Sequence, residues 1–259
     1  QKERSSFLIS GRRTYADFFL KLFGDSSIRN ARLYFYDLNT KANYQLNENN
    51  RIYLSGYFGR DVLSQDDIAG INWGNATGTL RWNHIFNNRL FSNTSLIFSN
   101  YDYQINVNSE STGYRILSRI RDWNLKQEFQ MYVNSFNTIN AGFNSIYHTI
   151  RPGEISITGN SGTVEQGLPD RYSIENALYA SNNWTATDKL NIVYGLRLSG
   201  FSILGKGDYY TLDEQGRVTD TLHYNKGEVV KTYLNPEPRL AFSYLLNNRI
   251  VAHSQMHYN

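Results

Sequence analysis

The sequence predicts an all-β protein, a transmembrane antiparallel β-barrel of which about 11 strands are present. Three features predict this fold. Polar and apolar residues alternate with a period of two, the predicted strands are long for a soluble protein, and the connections alternate between short and long.

The alternation is clearest from Asp37 to Leu46, where polar residues hold the odd positions and mostly apolar residues hold the even ones. It returns from Asp122 to Met131 and from Leu190 to Ser199. In a barrel wall the polar series faces a wet lumen and the apolar series faces lipid. The solvent side of a soluble sheet would give the same alternation, so this feature alone does not separate the two.

Eleven strands are predicted, and most reach or exceed the roughly 9–11 residues that cross a bilayer at barrel tilt, against about 5–6 in globular sheets. In chain order they cover residues 5–13, 31–46, 51–61, 70–86, 89–103, 115–133, 138–150, 171–184, 189–203, 228–246 and 250–259.

Short polar turns are predicted at one end of these strands, because Asn tolerates the left-handed backbone angles of tight turns. They fall at Asn47–Asn50, Asn87–Asn88, Asn134–Asn137, Thr185–Asp188 and Asn247–Asn248. Longer polar loops are predicted near residues 14–30, 61–70, 104–114, 151–171 and 203–229. A strict alternation of short periplasmic turns and long extracellular loops is typical of outer-membrane barrels.

The strand number predicts that the chain is part of a larger barrel. An odd number of strands would close with a parallel seam, whereas bacterial single-chain barrels have even numbers. The last segment also ends without a turn. An open sheet would leave unpaired edges in lipid, so we expect further strands beyond these.

Composition agrees with a barrel and excludes several other classes. There is no run of 18 apolar residues, which excludes a transmembrane helix, and a mean hydropathy of −0.53 is compatible with alternating strands. Aromatic residues make up 15% of the chain, and Tyr suits a membrane–water boundary. The absence of cysteine excludes disulfides, and a net charge of +3 without a basic stripe makes nucleic acid an unfavoured partner. No signal peptide begins the sequence, so we expect that it was removed or lies upstream.

One segment, Thr14–Phe23, interrupts the alternation. Its apolar residues recur at helical spacing: Tyr15, Phe18, Phe19, Leu22 and Phe23. Thr14 and Asp17 resemble a helix-capping pair. We interpret the segment as a short helix that packs its stripe on the barrel mouth, or as an aromatic element of a substrate vestibule.

Charged residues of the polar series are the other candidates for function: Lys41, Arg81, Asp122, Lys126, Glu128, Arg197 and Arg239. They either form ion pairs with one another or with a plug, or contact a ligand directly. The candidate ligand-binding residues are therefore Tyr15, Phe18, Arg81, Asp122, Lys126, Arg197 and Arg239.

No catalytic residue, metal site or cofactor is predicted. His253 and His257 have the spacing that binds zinc on a helix, but in a strand four residues span about 13 Å, so we interpret them as polar residues of the lumen. The glycines between Gly200 and Gly207 end a strand, so they do not form a phosphate-binding loop before a helix.

Several stretches resemble barrel segments of TonB-dependent receptors of the Bacteroidetes type. They include Ser6–Tyr15 (SFLISGRRTY), Leu54–Asp61 (LSGYFGRD), Trp73–Phe91 (WGNATGTLRWNHIFNNRLF) and Tyr194–Phe201 (YGLRLSGF). The resemblance extends over nearly all of residues 1–259 and implies the first half of a 22-stranded barrel, after a plug domain that this chain lacks.

The resemblance also implies a function. Such a receptor lies in the bacterial outer membrane and takes up a scarce nutrient, with energy delivered through the TonB complex by regions outside this segment. Its ligand would be an iron–siderophore complex, haem, cobalamin, a glycan or a peptide, and a surface lipoprotein would be a further partner. A passive pore or a barrel enzyme, and a soluble β-rich binding module, are the alternatives.

Overall fold

A computed structural model describes residues 4–23, 31–65, 68–109, 111–159, 162–247 and 250–257. Strands dominate, and one helix follows the first of them. The elements are β1 Ser5–Arg13, α1 Ala16–Phe23, β2 Ala31–Asn47, β3 Asn50–Gln65, β4 Ala69–Asn87, β5 Leu90–Asn108, β6 Thr112–Asn134, β7 Asn137–Gly159, β8 Gly162–Gly167, β9 Arg171–Thr185, β10 Leu190–Leu204, β11 Gly207–Leu212, β12 Val218–Tyr224, β13 Val229–Asn247 and β14 Ile250–His257. Within these residues no helix has the length and apolar character needed to cross a membrane.

The main sheet is an antiparallel meander of eleven strands, in the order β1-β2-β3-β4-β5-β6-β7-β9-β10-β13-β14. Strand β8 pairs with β7 beside this path, and β11 pairs with β12 in a separate two-stranded sheet. The predicted all-β fold and the predicted count of eleven main strands are therefore confirmed.

The short turns at one end of the sheet share one construction. In three of them the side-chain oxygen of an Asn accepts the backbone N–H two residues further on, at 2.9–3.0 Å: Asn47, Asn87 and Asn134. In a fourth, Thr187 Oγ1 accepts the N–H of Lys189 at 3.2 Å. These turns lie where the sequence predicts them, and the predicted turn at Asn247–Asn248 lies partly outside the described residues.

The loops predicted near residues 61–70 and 104–114 are wrong, because the strands continue almost to the tips of their hairpins. Leu63 still pairs with Ile71, and Ile105 with Ile116. Polar residues such as Asn106 resemble loop residues in sequence but occupy one face of a paired strand. The strict alternation of short and long connections therefore fails at these two hairpins.

The loops predicted near 151–171 and 203–229 are also largely strand. Strand β7 continues to Gly159 through a register shift opposite Leu117 and Arg119, where its extra residues include Pro152. A bulge is one of the few positions in a sheet that tolerate proline. Residues 162–167 form β8, and β11 and β12 form a hairpin within 203–229. The loop predicted at 14–30 contains α1, and residues 24–30 lie outside the described chain.

The sheet has two chemically different faces, which we call inner and outer. The inner face carries Lys126, Glu128 and Arg197, and side chains of five neighbouring strands enclose a hollow there, so the sheet curves toward this face. The outer face carries a cross-strand row of four leucines: Leu54, Leu80, Leu96 and Leu125. This matches the predicted lumen and lipid series.

The polarity of the two faces is exchanged along the strands. On the outer face of strands β5 to β7, the apolar residues nearest the short turns end at the row that contains Phe98, Trp123 and Tyr147. The next outer row, two residues farther from the short turns, contains Asn100, Arg121 and Thr149. We call the part between the short turns and the first of these rows the band, and the part beyond it the distal region.

In the distal region the inner face is the apolar one. A single cross-strand row places six aliphatic residues side by side on six strands: Leu33, Leu63, Ile71, Ile105, Ile116 and Ile155. The band on strand β7 runs from Ile139 to Tyr147, nine residues, which is the length of a barrel strand that crosses a bilayer.

Candidate functional site

The inner face of the band holds a network of paired charges on strands β6, β9, β10 and β13. Lys126 Nζ lies 2.7 Å from Glu128 Oε1. The hydroxyl of Tyr179 donates to the same carboxylate at 3.3 Å. Residues 126 and 128 share a face because they are two apart on β6, and the register places Tyr179 on that face two strands away.

The network continues through Arg197, whose guanidinium lies 5.9 Å from the ring centre of Tyr179. Arg197 contacts Glu175 at 3.5 Å and Glu237 at 3.7 Å. Glu237 also accepts a hydrogen bond from Arg239 at 2.8 Å. Each of the three carboxylates, those of Glu128, Glu175 and Glu237, therefore contacts at least one cation.

A hollow of about 630 Å³ lies over this network, and its lining includes Lys126, Tyr179, Arg197 and Arg239. The structure therefore brings together four of the charged residues that the sequence singles out, from three different strands: Lys126, Glu128, Arg197 and Arg239. Their pairing agrees with the expectation that inner charges hold one another, and it leaves them little free charge for a ligand.

A second hollow, of about 550 Å³, lies over strands β1 to β4 and has a different electrostatic character. Lys41 and Arg81 line it together with Tyr53 and Ser55. Arg81 donates to Ser95 Oγ at 3.3 Å, and neither cation has a carboxylate partner within the described residues. This part of the inner wall is open to an anionic group.

Asp122, another predicted residue, lies at the distal edge of the band on the inner face. Its Oδ1 is 2.8 Å from Nδ1 of His148 on the adjacent strand. The pair is a local cross-strand contact and does not join the network around Arg197. No group of three or more His, Cys, Asp and Glu within the described residues is arranged to hold a metal ion.

The predicted helix is confirmed as α1. Tyr15 and Phe18 are 61% and 57% exposed among the described residues, and the Arg13 guanidinium lies 5.5 Å from the centre of the Tyr15 ring, so the role of this stripe stays a prediction. The predicted cap is wrong, because Thr14 Oγ1 accepts the N–H of Phe35 on strand β2 at 2.9 Å. Asp17 instead forms an ion pair with Arg13 at 3.6 Å.

Sequence reasoning missed the partners of the network, namely Glu175, Tyr179 and Glu237. The signal was present for two of them, because Glu175 and Tyr179 continue the odd-numbered polar series into strand β9. The pairing of Glu237 with Arg197 depends on the register of β10 with β13, across the inserted β11–β12 hairpin, and no local pattern gives that register.

The distal inner face was also missed. Tyr101, Tyr103 and Ile105 continue the inner series of β5 beyond the band. Together with the aliphatic row they form an apolar wall above the charged part of the inner face. A ligand that enters from the distal end would meet this wall before it reaches the charged hollows.

Comparisons with known proteins identify the fold. No protein-family model matches the chain, and no curated protein matches its sequence. Solved structures do match. The ferric-catecholate import receptor Fiu from E. coli K12, in its open form, is 11% identical with a TM-score of 0.65, and the match covers 98% of this chain and 50% of that one.

Two further structures are similar. The copper transporter OprC is 11% identical with a TM-score of 0.62, and the match covers 85% of this chain and 35% of that one. The ferric yersiniabactin uptake receptor FyuA from Yersinia pestis is 12% identical with a TM-score of 0.61, over 86% of this chain and 37% of that one. At this identity the likeness establishes the fold.

The fold is therefore that of an outer-membrane β-barrel wall, of the kind found in metal and siderophore importers. The chain spans half or less of the length of each of these three proteins.

Proposed function

We propose that this chain forms part of the barrel of a TonB-dependent receptor, which imports a scarce nutrient across the bacterial outer membrane. The observation that carries the proposal is the two-faced band. An apolar outer face nine residues tall on β7 matches a bilayer, and the inner face of the same strands is charged and concave.

The comparisons and the sequence support the importer class. The three solved structures described above are an import receptor for ferric catecholates, an uptake receptor for ferric yersiniabactin and a copper transporter, and the quoted strings resemble TonB-dependent receptors of the Bacteroidetes type. In the proposed receptor a plug domain and further strands, to a total of about 22, complete the barrel. The residues that contact TonB belong to those other regions.

The inner wall gives the proposal its ligand path. A nutrient would first meet the apolar distal wall and then the hollow that contains Lys41 and Arg81. Because these two cations have no carboxylate partner among the described residues, they would pair with an acidic group of the ligand or of the plug. Arg197 would hold strands β9, β10 and β13 together through Glu175 and Glu237, and Arg239 would orient Glu237 from the same strand.

The test is uptake by the whole receptor in cells. A panel of radiolabelled ferric siderophores, haem, cobalamin, oligosaccharides and peptides is offered to the strain, to a strain without this gene and to a strain without TonB. We expect one class to accumulate only when the receptor, TonB and the proton gradient are all present. Uptake that persists without TonB would identify a passive pore and overturn the proposal.

A matched pair of variants tests the ligand path. Arg81→Gln removes an inner cation without a carboxylate, whereas Arg217→Gln removes an exposed cation of the β11–β12 hairpin. We expect TonB-dependent uptake to fall several-fold in the first variant and to stay at the level of the parent in the second. Equal uptake in both would exclude Arg81 from the path.

A further inference from the structure

On strand β6 the outer face changes at the distal edge of the band, and the first two outer residues beyond that edge are basic. Trp123 belongs to the last apolar row, and Arg121 and Arg119 follow it on the same face of strand β6. At about 3.4 Å per residue and a tilt of about 40°, these two arginines lie roughly 5 Å and 10 Å above Trp123. The polar headgroup layer of a bilayer is about 5–7 Å thick per leaflet, so the backbone of Arg121 lies within it and that of Arg119 lies a few ångströms beyond it, about the reach of an arginine side chain.

The two arginines have no partner within the described residues, in contrast to the arginines around them. Arg60 holds Asp102 at 2.9 Å, so the carboxylate that stands in register with Arg119 is already occupied. On its other side Arg119 faces Arg151, which is paired with Asp170 at 3.1 Å. The Nε of Arg119 is buried without a hydrogen-bond acceptor.

Arg121 is exposed and equally unpaired. Its register partners are Asn100 on β5 and Thr149 on β7, which offer an amide and a hydroxyl but no negative charge. Arg119 lies directly opposite Arg151, and like charges in that position destabilise a sheet. Among the described residues neither Arg119 nor Arg121 has a carboxylate partner, because Asp102 is held by Arg60 and Asp170 by Arg151.

We propose that Arg119 and Arg121, with Asn100 and Thr149, form a site on the outer wall for the phosphate group of a lipid headgroup. The apolar band specifies a lipid as the occupant, because the acyl chains that cover Trp123 and Phe98 carry their headgroup at the height of these arginines. Guanidinium groups bind phosphate through paired N–H donors. The proposal rests on the membrane position proposed above, but not on which nutrient is imported or on TonB.

The experiment uses the whole receptor that contains this chain, purified in a neutral detergent and titrated with lipid A that carries its phosphates. Dephosphorylated lipid A and inorganic phosphate are the parallel probes, and retained lipid is counted by native mass spectrometry. We expect the phosphorylated lipid to bind, and the other two to bind at least tenfold more weakly. Equal binding of dephosphorylated lipid A would overturn the role of the phosphate, and equal binding of inorganic phosphate would overturn the lipid source.

Variants assign the binding to the site. Arg119→Gln and Arg121→Gln should each weaken lipid A binding roughly fivefold, which is about what one basic residue contributes at a membrane surface. The double variant should weaken it about 25-fold, since the two contributions multiply. Arg121→Lys should retain most of the affinity, and Arg217→Gln, far out on the β11–β12 hairpin, should retain all of it.

Two further measurements separate this proposal from the proposed function. Heat-modifiable gel migration shows whether the double variant still folds, and TonB-dependent uptake shows whether it still transports. We expect both to remain while lipid binding is lost. A folded double variant that binds lipid A as tightly as the parent overturns the lipid site and leaves the importer proposal unaffected. Failure of the parent to take up any nutrient overturns the importer proposal and leaves the lipid site unaffected.

Discussion

The band and the distal region are made of the same strands, yet their two faces have opposite character. In the band the outer face is apolar, with Leu125 in its leucine row, and the inner face carries Lys126. In the distal region the outer face of β6 carries Arg119 and the inner face carries Ile116. A strand that passes from lipid into water needs this exchange, because only the part beside acyl chains gains from apolar groups on its outer face. In the proposed receptor, the exchange on β6 therefore marks the height of the membrane surface.

The largest expected effect is on the free energy of unfolding, when an arginine is introduced on the outer face of β6 in the band or in the distal region. Leu125→Arg lies in the leucine row of the band and Leu117→Arg lies on the same face in the distal region. An arginine on the lipid face of the band should cost up to about 2–4 kcal/mol, depending on its depth, and one beyond the band about 0–1 kcal/mol. Denaturant unfolding of the receptor in lipid vesicles measures both. Equal losses would mean that the exchange of polarity does not mark a membrane boundary.

The next prediction compares the two faces within the band. A Cβ added to Gly142 on the inner face would lie 2.3 Å from the carbonyl oxygen of Gln127 and 2.7 Å from the Tyr179 hydroxyl, whereas a Cβ added to Gly78 on the outer face meets nothing within 4 Å. Gly142→Ala should therefore cost about 1–3 kcal/mol through displaced backbone, and Gly78→Ala should be close to neutral. The same vesicle unfolding experiment measures the difference. Tolerance of alanine at both sites would show that the inner wall is looser than its contacts indicate.

The sequence predicts the band much better than the distal region. In β5 the apolar residues occupy even positions at Leu96 and Phe98 and odd positions at Tyr101 and Tyr103. That shift of phase is the exchange of faces. The predicted strand ends at residue 103, because the polar residues beyond it, such as Asn106 and Asn108, resemble those of a loop. Alternation within a strand predicts the face on which a residue lies, but it does not predict which residue of the neighbouring strand pairs with it.

The same limit applies to the candidate site. Alternation assigns Lys126, Arg197 and Arg239 to one face, and the structure places them there. Their carboxylate partner Glu237 follows the β11–β12 hairpin, so its register with Arg197 depends on how many residues that insertion removes from the main sheet. Helix α1 is a different case. The spacing of its apolar residues predicts the helix correctly, but the residues of the segment itself do not indicate which surface its apolar stripe contacts.

The short turns give a smaller, local prediction. Asn87 Oδ1 accepts the N–H groups of Arg89 and Leu90 at 2.9 and 3.0 Å. Asn87→Ala removes that acceptor and should cost about 1 kcal/mol, whereas Asn87→Asp keeps an acceptor oxygen and should cost less. Vesicle unfolding of the two variants measures this. A larger loss for the aspartate variant would contradict the role assigned to the side-chain oxygen.

The smallest effect compares that neutral turn with a charged turn at the opposite end. In the β11–β12 hairpin the Asp213 carboxylate accepts the backbone N–H of Arg217 at 2.8 Å and of Gln215 at 3.0 Å, and the Arg217 side chain donates to it at 2.8 Å. The pKa of Asp213 is lowered below its ordinary value, first by the Arg217 backbone hydrogen bond and further by the Arg217 side chain and the Gln215 N–H.

Because this pKa is lower in the folded turn than in the unfolded chain, the turn gains stability that is complete above the unfolded value of about 4. That stability is lost as the pH falls through the lower, folded value. The amide chemical shifts of Gln215 and Arg217 in the detergent-solubilised receptor, followed from pH 7 downward, should titrate below pH 4 and should not titrate in Asp213→Asn. At the Asn87 turn the acceptor is neutral, so the amides of Arg89 and Leu90 should show no matching transition. A transition of the Arg217 amide above pH 4 would mean that the pKa of Asp213 is raised in the folded turn, which would contradict the prediction.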